Sequence, residues 1–161
     1  MNECPLWMRM VLRVHRDNMN NWKERLTAIA KQCIEAEKKC RANPCGWQSC
    51  APGDTPEWKE YAVLSAAWQE AERDLWAITD IEYDDKDPLR AAAWEWRFRK
   101  VMARKCTWHL LHDGNSKWAG EAMHQLQEAE SNLMSLLGLS DLYKSPCQYI
   151  EEAFPGLKKV S

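Results

Sequence analysis

From Met8 onward the chain carries a regular seam. Met8, Leu12, His15, Met19, Trp22, Leu26, Ile29, Cys33, Ala36 and Cys40 follow alternating steps of four and three residues. That is the 3.5-residue repeat of a helix packed along one side. Pro5 suits a first helical turn, where its missing N–H has no intrahelical partner to lose. Pro44 disfavours helical geometry at Asn43, so the helix should stop there. The pattern predicts a first helix over about residues 5–42, which at 1.5 Å per residue spans roughly 57 Å. A compact domain of this size needs less, so part of this helix is expected to project toward a second subunit.

Residues 43–55 break the pattern with two Pro and two Gly among small polar residues and read as a connector. Asp54 or Thr55 can cap a second helix that has Pro56 in its first turn, with Tyr61, Leu64, Trp68, Ala71, Leu75 and Ile78 on its seam. An acidic stretch ends it. Asp87 and Pro88 start a third helix by the same chemistry, expected to carry Trp94, Phe98, Val101, Met102 and Trp108 inward and to end at Asp113-Gly114. Ser116 can cap a fourth helix with Ala119, Ala122, Leu126, Ala129, Leu133 and Leu136 on one face and Gly138 just past its end. Ser145 and Gln148 have capping-box spacing for a short fifth helix to Ala153, closed by Pro155-Gly156. No segment alternates apolar and polar residues for long enough to make a strand. The fold class expected is all-α: an antiparallel bundle of four main helices plus a short C-terminal one, in a single domain over residues 1–161 whose last part, 139–161, is that short helix and a tail.

Composition agrees with this. The chain has 161 residues, 45% apolar and 29% charged, which suits one soluble globular domain and excludes collagenous and low-complexity classes. Ten Trp stand against two Phe and four Tyr. The seams sort them: Trp22, Trp68, Trp94 and Trp108 fall on seams and read as core, Trp58 and Trp76 flank a seam, and Trp7, Trp47, Trp96 and Trp118 are left over. Small seam residues such as the alanines of the fourth helix are expected to face bulky indoles, whose N–H groups reach polar partners.

Arg9, Arg13 and Arg16 interrupt any apolar core of a secretory signal, and no run approaches a membrane span. The seven Cys are therefore expected as thiols in a reducing cytoplasm, or in a host cytoplasm for a viral protein. The net charge of −2 hides a bipolar distribution. Residues 97–105 hold five basic residues and no acid, and residues 80–87 hold five acids and one Lys.

Four constellations could carry chemistry. Cys33, Cys40, Cys45 and Cys50 could hold zinc tetrahedrally, although no Cys-x-x-Cys knuckle is present and two of them are seam positions, where Cys serves as a small apolar residue. Glu121-x-x-His124, close to His109 and His112, has the carboxylate–imidazole spacing of di-iron bundles but lacks a second such motif. Arg104-Lys105-Cys106-Thr107-Trp108-His109 resembles the Arg-x4–6-His motif of HEPN-type ribonucleases, and residues 9–15 match it a second time. That resemblance covers six residues. It implies a dimeric, metal-independent RNase with His109 in acid–base chemistry and Arg104 on the phosphate. Finally, Arg97, Lys100 and Arg104 share one helix face, as do Arg9, Arg13 and Arg16, and either stripe could bind phosphates of a nucleic acid or nucleotide. Phosphate-binding glycine loops, nucleophile elbows and calcium loops are missing from the sequence.

With no catalytic motif and no cofactor implied, the leading expectation is a non-enzymatic helical interaction protein that self-associates through its long first helix. It would act on a larger protein partner as scaffold, regulator or small inhibitor. An inhibitor of a defence nuclease carried by a phage or mobile element fits that description. Trp and Arg dominate interface hot spots. The contact residues expected are therefore Trp7, Trp47, Trp96 and Trp118, with Arg97, Arg99 and Arg104.

Overall fold

The computed structural model describes residues 5–46, 53, 55–114 and 117–156. Five α-helices follow one another: α1 (Leu6–Ala42), α2 (Pro56–Ile78), α3 (Pro88–Asp113), α4 (Ala119–Leu136) and α5 (Pro146–Ala153). One 3-10 turn at Pro44–Gly46 ends the run of α1, and no strand occurs among the described residues. The all-α bundle with a long first helix and a short last one is the architecture the sequence predicts.

Local chemistry explains the boundaries. The Thr55 hydroxyl accepts from the Trp58 N–H, and the Asp87 carboxylate accepts from the N–H groups of Leu89 and Arg90. Each of these helices has Pro in its first turn. At α5 the capping box is complete: Gln148 N–H donates to Ser145 Oγ at 3.2 Å, and Ser145 N–H donates to Gln148 Oε1 at 2.7 Å. Gly114 and Gly138 adopt φ of 66° and 72° just past α3 and α4, a left-handed geometry that a side chain would strain. The side chain of Met19, together with Trp47, Cys50, Asp54 and Ser116, lies outside the described residues.

The four long helices run antiparallel in chain order, as their cross-links show. Trp22 Nε1 near the middle of α1 donates to the Ile78 carbonyl at the end of α2 (2.9 Å), while Asn43 past the end of α1 donates to the Glu57 carbonyl at the start of α2 (3.3 Å). Arg97 donates to the Trp76 carbonyl and Lys100 pairs with Glu72 at 3.8 Å, so α3 runs back along α2. Trp96 Nε1 to Glu130 (3.2 Å) and Arg99 Nη1 to Gln125 (2.9 Å) set α4 against α3 in the same sense. The core collects Leu26, Ala30 and Ile34 of α1, Ala71 and Leu75 of α2, Ala92, Ala93 and Trp96 of α3, and Leu133 and Met134 of α4. An indole packed among alanines is the arrangement expected of this composition.

Two expectations need correction. On α3 the face is inverted: Trp94, Phe98, Val101, Met102 and Trp108 are exposed, and the buried residues are Ala92, Ala93, Trp96 and Ala103. Trp94 is 42% exposed and Trp96 is 1% exposed. Residues two apart on a helix point to nearly opposite sides. Helix α3 carries apolar residues on both sides, and the side with alanines lets neighbouring backbones approach closely. On α4, Leu136 is exposed, and Met134 and Leu137 are buried instead.

The helices also differ in reach. Because Trp22 lies level with the end of α2, the part of α1 from Leu6 to Asn21 extends beyond it. Every described side chain in that stretch is exposed. Sixteen helical residues make an arm of about 24 Å.

Candidate interaction surface

The first exposed surface is the arm. It presents Leu6, Trp7, Met8, Met10, Val11, Leu12 and Val14 to solvent, with Leu6 74% and Trp7 63% exposed. Projected at 100° per residue, these side chains cover about two-thirds of the helix circumference, and Arg9, Arg13 and Arg16 form a narrow stripe on the remainder. A helix apolar over so wide an arc is not a solvated face. Isolated helices of this length are marginal in water, and their stability in proteins comes mostly from packing.

The second surface is the outer face of α3. Trp94 stacks on Phe98 with centroids 5.5 Å apart and planes 4° from parallel, and Tyr83 from the preceding loop packs on Trp94 at 5.2 Å. Val101 and Met102 extend the patch along the helix. Beside it runs the acidic segment 80–87, between the end of α2 and the start of α3. The same end of the bundle roots the arm, where Asn20, Trp22 and Lys23 line a hollow with Asp87, Pro88, Leu89 and Leu136.

The basic residues of α3 do something different from what their spacing predicts. Arg97 donates to the Trp76 carbonyl, lies over the Trp76 ring at 3.9 Å and reaches Asp80 at 3.7 Å, so it closes the C-terminal end of α2. Positive charge is favoured there because the last carbonyls of a helix have no partner of their own. Lys100 spans to Glu72 and lies over the Trp96 ring at 4.9 Å, and Arg99 binds Glu95 and Gln125. Three of the four basic residues that the sequence nominates on α3 thus tie helices together. Arg104 is exposed and borders a groove of about 400 Å³ with Gln69, Glu72, Arg73, Trp76 and Lys100.

Arg104 and His109 do not converge within one chain. Five residues rotate a helix by about 140° beyond a full turn. Arg104 accordingly leans toward Trp76 of α2, while His109 Nδ1 pairs with Asp113 at 2.7 Å in solvent. His112 stacks on Trp108 at 4.2 Å, and His124 pairs with Glu128 on the outside of α4.

Of the four candidate zinc ligands, Cys33 and Cys40 are buried on the inner face of α1, Cys45 is half-buried in the 3-10 turn, and Cys50 lies outside the described residues. Burial, reinforced by the charges of Glu72, Glu130 and Glu37, pushes the Cys33 thiol up to about 12. It therefore stays S–H at neutral pH, and only the thiolate is a good metal ligand. Among the described residues no group of three or more His, Cys, Asp or Glu is placed to hold a metal ion. The same interior holds Glu37, whose carboxyl burial raises against the pull of Arg41, and Tyr143, whose hydroxyl donates to Glu130 at 2.8 Å and is itself raised by burial. These carboxylates border a void of only about 20 Å³, room for one water rather than a substrate.

Among the left-over indoles, Trp7 and Trp118 are exposed as expected, whereas Trp96 is the most deeply buried ring of the core. The sequence pattern assigns Trp94 and Phe98, an apolar stripe at helical spacing, to the inside, and gives no sign for Tyr83, which lies in the loop before α3. Among the described residues no helix is long and apolar enough to cross a membrane. No family model matches the chain, and no curated protein and no solved structure matches it significantly.

Proposed function

We propose that this protein is a helical interaction module that acts by docking and self-association rather than by catalysis. One observation carries the reading: a single small chain leaves two large apolar surfaces, the α1 arm and the outer face of α3, exposed to solvent. Contiguous apolar patches of this kind mark protein interaction sites, because leaving them wet forfeits the burial free energy of every side chain in them. The arm presents Trp7 near its tip among aliphatic side chains, and the face presents Trp94 stacked on Phe98 and Tyr83. Exposed indoles of this kind anchor interfaces.

The reading is tested by placing a photo-crosslinking amino acid at Val11, at Phe98 and, as a control, at exposed Lys31. The first two positions are expected to yield protein adducts in the cell well above the control. Equal yields at all three positions overturn the proposal.

A further inference from the structure

We infer that the occupant of both surfaces is a second copy of this chain: the arm of each copy lies along the Trp94–Phe98–Met102 face of the other, so that two copies exchange arms about a twofold axis. This rests on the self-association reading above and assigns its partner and its site.

Geometry supplies the first argument. The arm leaves the bundle at the end where α2 finishes and α3 begins. Two copies meeting at that end set each arm alongside the other copy's α3, entering at Pro88. The distance from Pro88 to Met102 along α3 is about 21 Å, against about 24 Å for the arm. The apolar part of the arm, Leu6–Val14, and the apolar part of the face, Trp94–Met102, each run about 12 Å, and a twofold contact uses both of them twice.

Area supplies the second. A standard specific interface removes about 800 Å² per partner. Seven apolar arm residues and five on and beside α3, each more than a third exposed, offer area of that order.

Charge supplies the third. The arm holds three Arg and one Asp, while segment 80–87, beside which the incoming arm passes, holds five acids and one Lys. Of the basic run further along α3, Arg97, Lys100 and Arg99 are already paired with Asp80, Glu72 and Glu95 of their own copy. Opposite fields of this kind steer association and fix its orientation. They also decide against the other natural host of a basic apolar helix, an anionic membrane. An arm lying in such a membrane brings its own root, and with it the acidic segment, against the headgroups. The α3 face also stays wet in that arrangement.

The test is size-exclusion chromatography with light scattering on the full chain across a wide concentration range. The expected species has twice the 18.8 kDa chain mass and weakens as salt rises. Val11→Glu in the arm and Phe98→Glu on the face each replace an exposed side chain, so far-UV circular dichroism and melting of dilute protein should stay unchanged. Each is expected to weaken dimerisation more than about tenfold. Mixing the two variants restores one intact arm-on-face contact, so the mixture should associate more tightly than either variant alone. Three outcomes overturn the exchange. One is a dimer that survives Phe98→Glu, which assigns the contact to arm on arm. Another is a mixture with no recovery. The third is a strict monomer, and if that monomer floats with phosphatidylserine vesicles through its arm, the arm belongs to lipid. A strict monomer that still crosslinks other polypeptides through Val11 and Phe98 leaves the docking part of the interaction reading standing and removes self-association and the exchange.

Discussion

Two indoles two residues apart show what a single position contributes. Trp96 fills the centre of the bundle and donates its N–H to Glu130, while Trp94 lies outside on Phe98 and Tyr83. Trp96→Ala removes the largest fully buried side chain and leaves a cavity beside a carboxylate that has lost a donor, a loss of about 3–5 kcal/mol. Trp94→Ala removes exposed ring contacts worth about 1 kcal/mol. Denaturant unfolding of dilute protein should separate the two variants by that margin, and similar midpoints would count against the burial assigned here. Arg97 makes a parallel point. Its charge looks available for a phosphate, but its guanidinium is engaged by the Trp76 carbonyl near the end of α2 and by the Trp76 ring.

At the scale of elements, what could be read in the sequence was whatever local chemistry decides. Thr55, Asp87 and Ser145 cap their helices because an oxygen one residue before the first turn meets N–H groups that nothing else satisfies. The seam of α1 was legible from Trp22 to Cys40 because large apolar residues occupy only one side there. The orientation of α3 was not. It carries Trp94, Phe98 and Met102 on one side and Ala92, Ala93, Trp96 and Ala103 on the other, and periodicity weighs the bulkier set more heavily. Close packing of helices favours the smaller set, and only the neighbouring helices reveal that. Hence the alanines, not the aromatics, should resist change: Ala93 is fully buried, and Ala93→Leu should cost about 1–3 kcal/mol by overpacking. A melting curve that does not move would mean α3 sits further from its neighbours than described. The exposed stripe on α3 is a seam by pattern, which is why it reads as core when taken alone, whereas on the α1 arm only Met8, Leu12 and His15 continue the seam and the sequence expects that part of the helix to project. Periodicity identifies a side that needs burying but not the chain that buries it.

At the scale of the whole molecule, the bundle is satisfied on its inside and unsatisfied at one end. The arm, its acidic surroundings and the α3 face all gather where α2 stops and α3 begins, so one end of the protein holds nearly everything that distinguishes it from an inert bundle. The placement of the aromatic residues has an optical consequence. An indole in water emits at longer wavelength than one in an apolar setting, and this chain divides its rings between the two. Trp96 is already enclosed in a lone copy, whereas Trp7 and Trp94 sit in solvent on the two surfaces assigned to meet. As concentration rises, part of the red emission should move toward the blue, while exposed Trp108 and Trp118 and buried Trp96 keep theirs, and Phe98→Glu should shift that movement to higher concentration. The protein therefore reports its own assembly without a label.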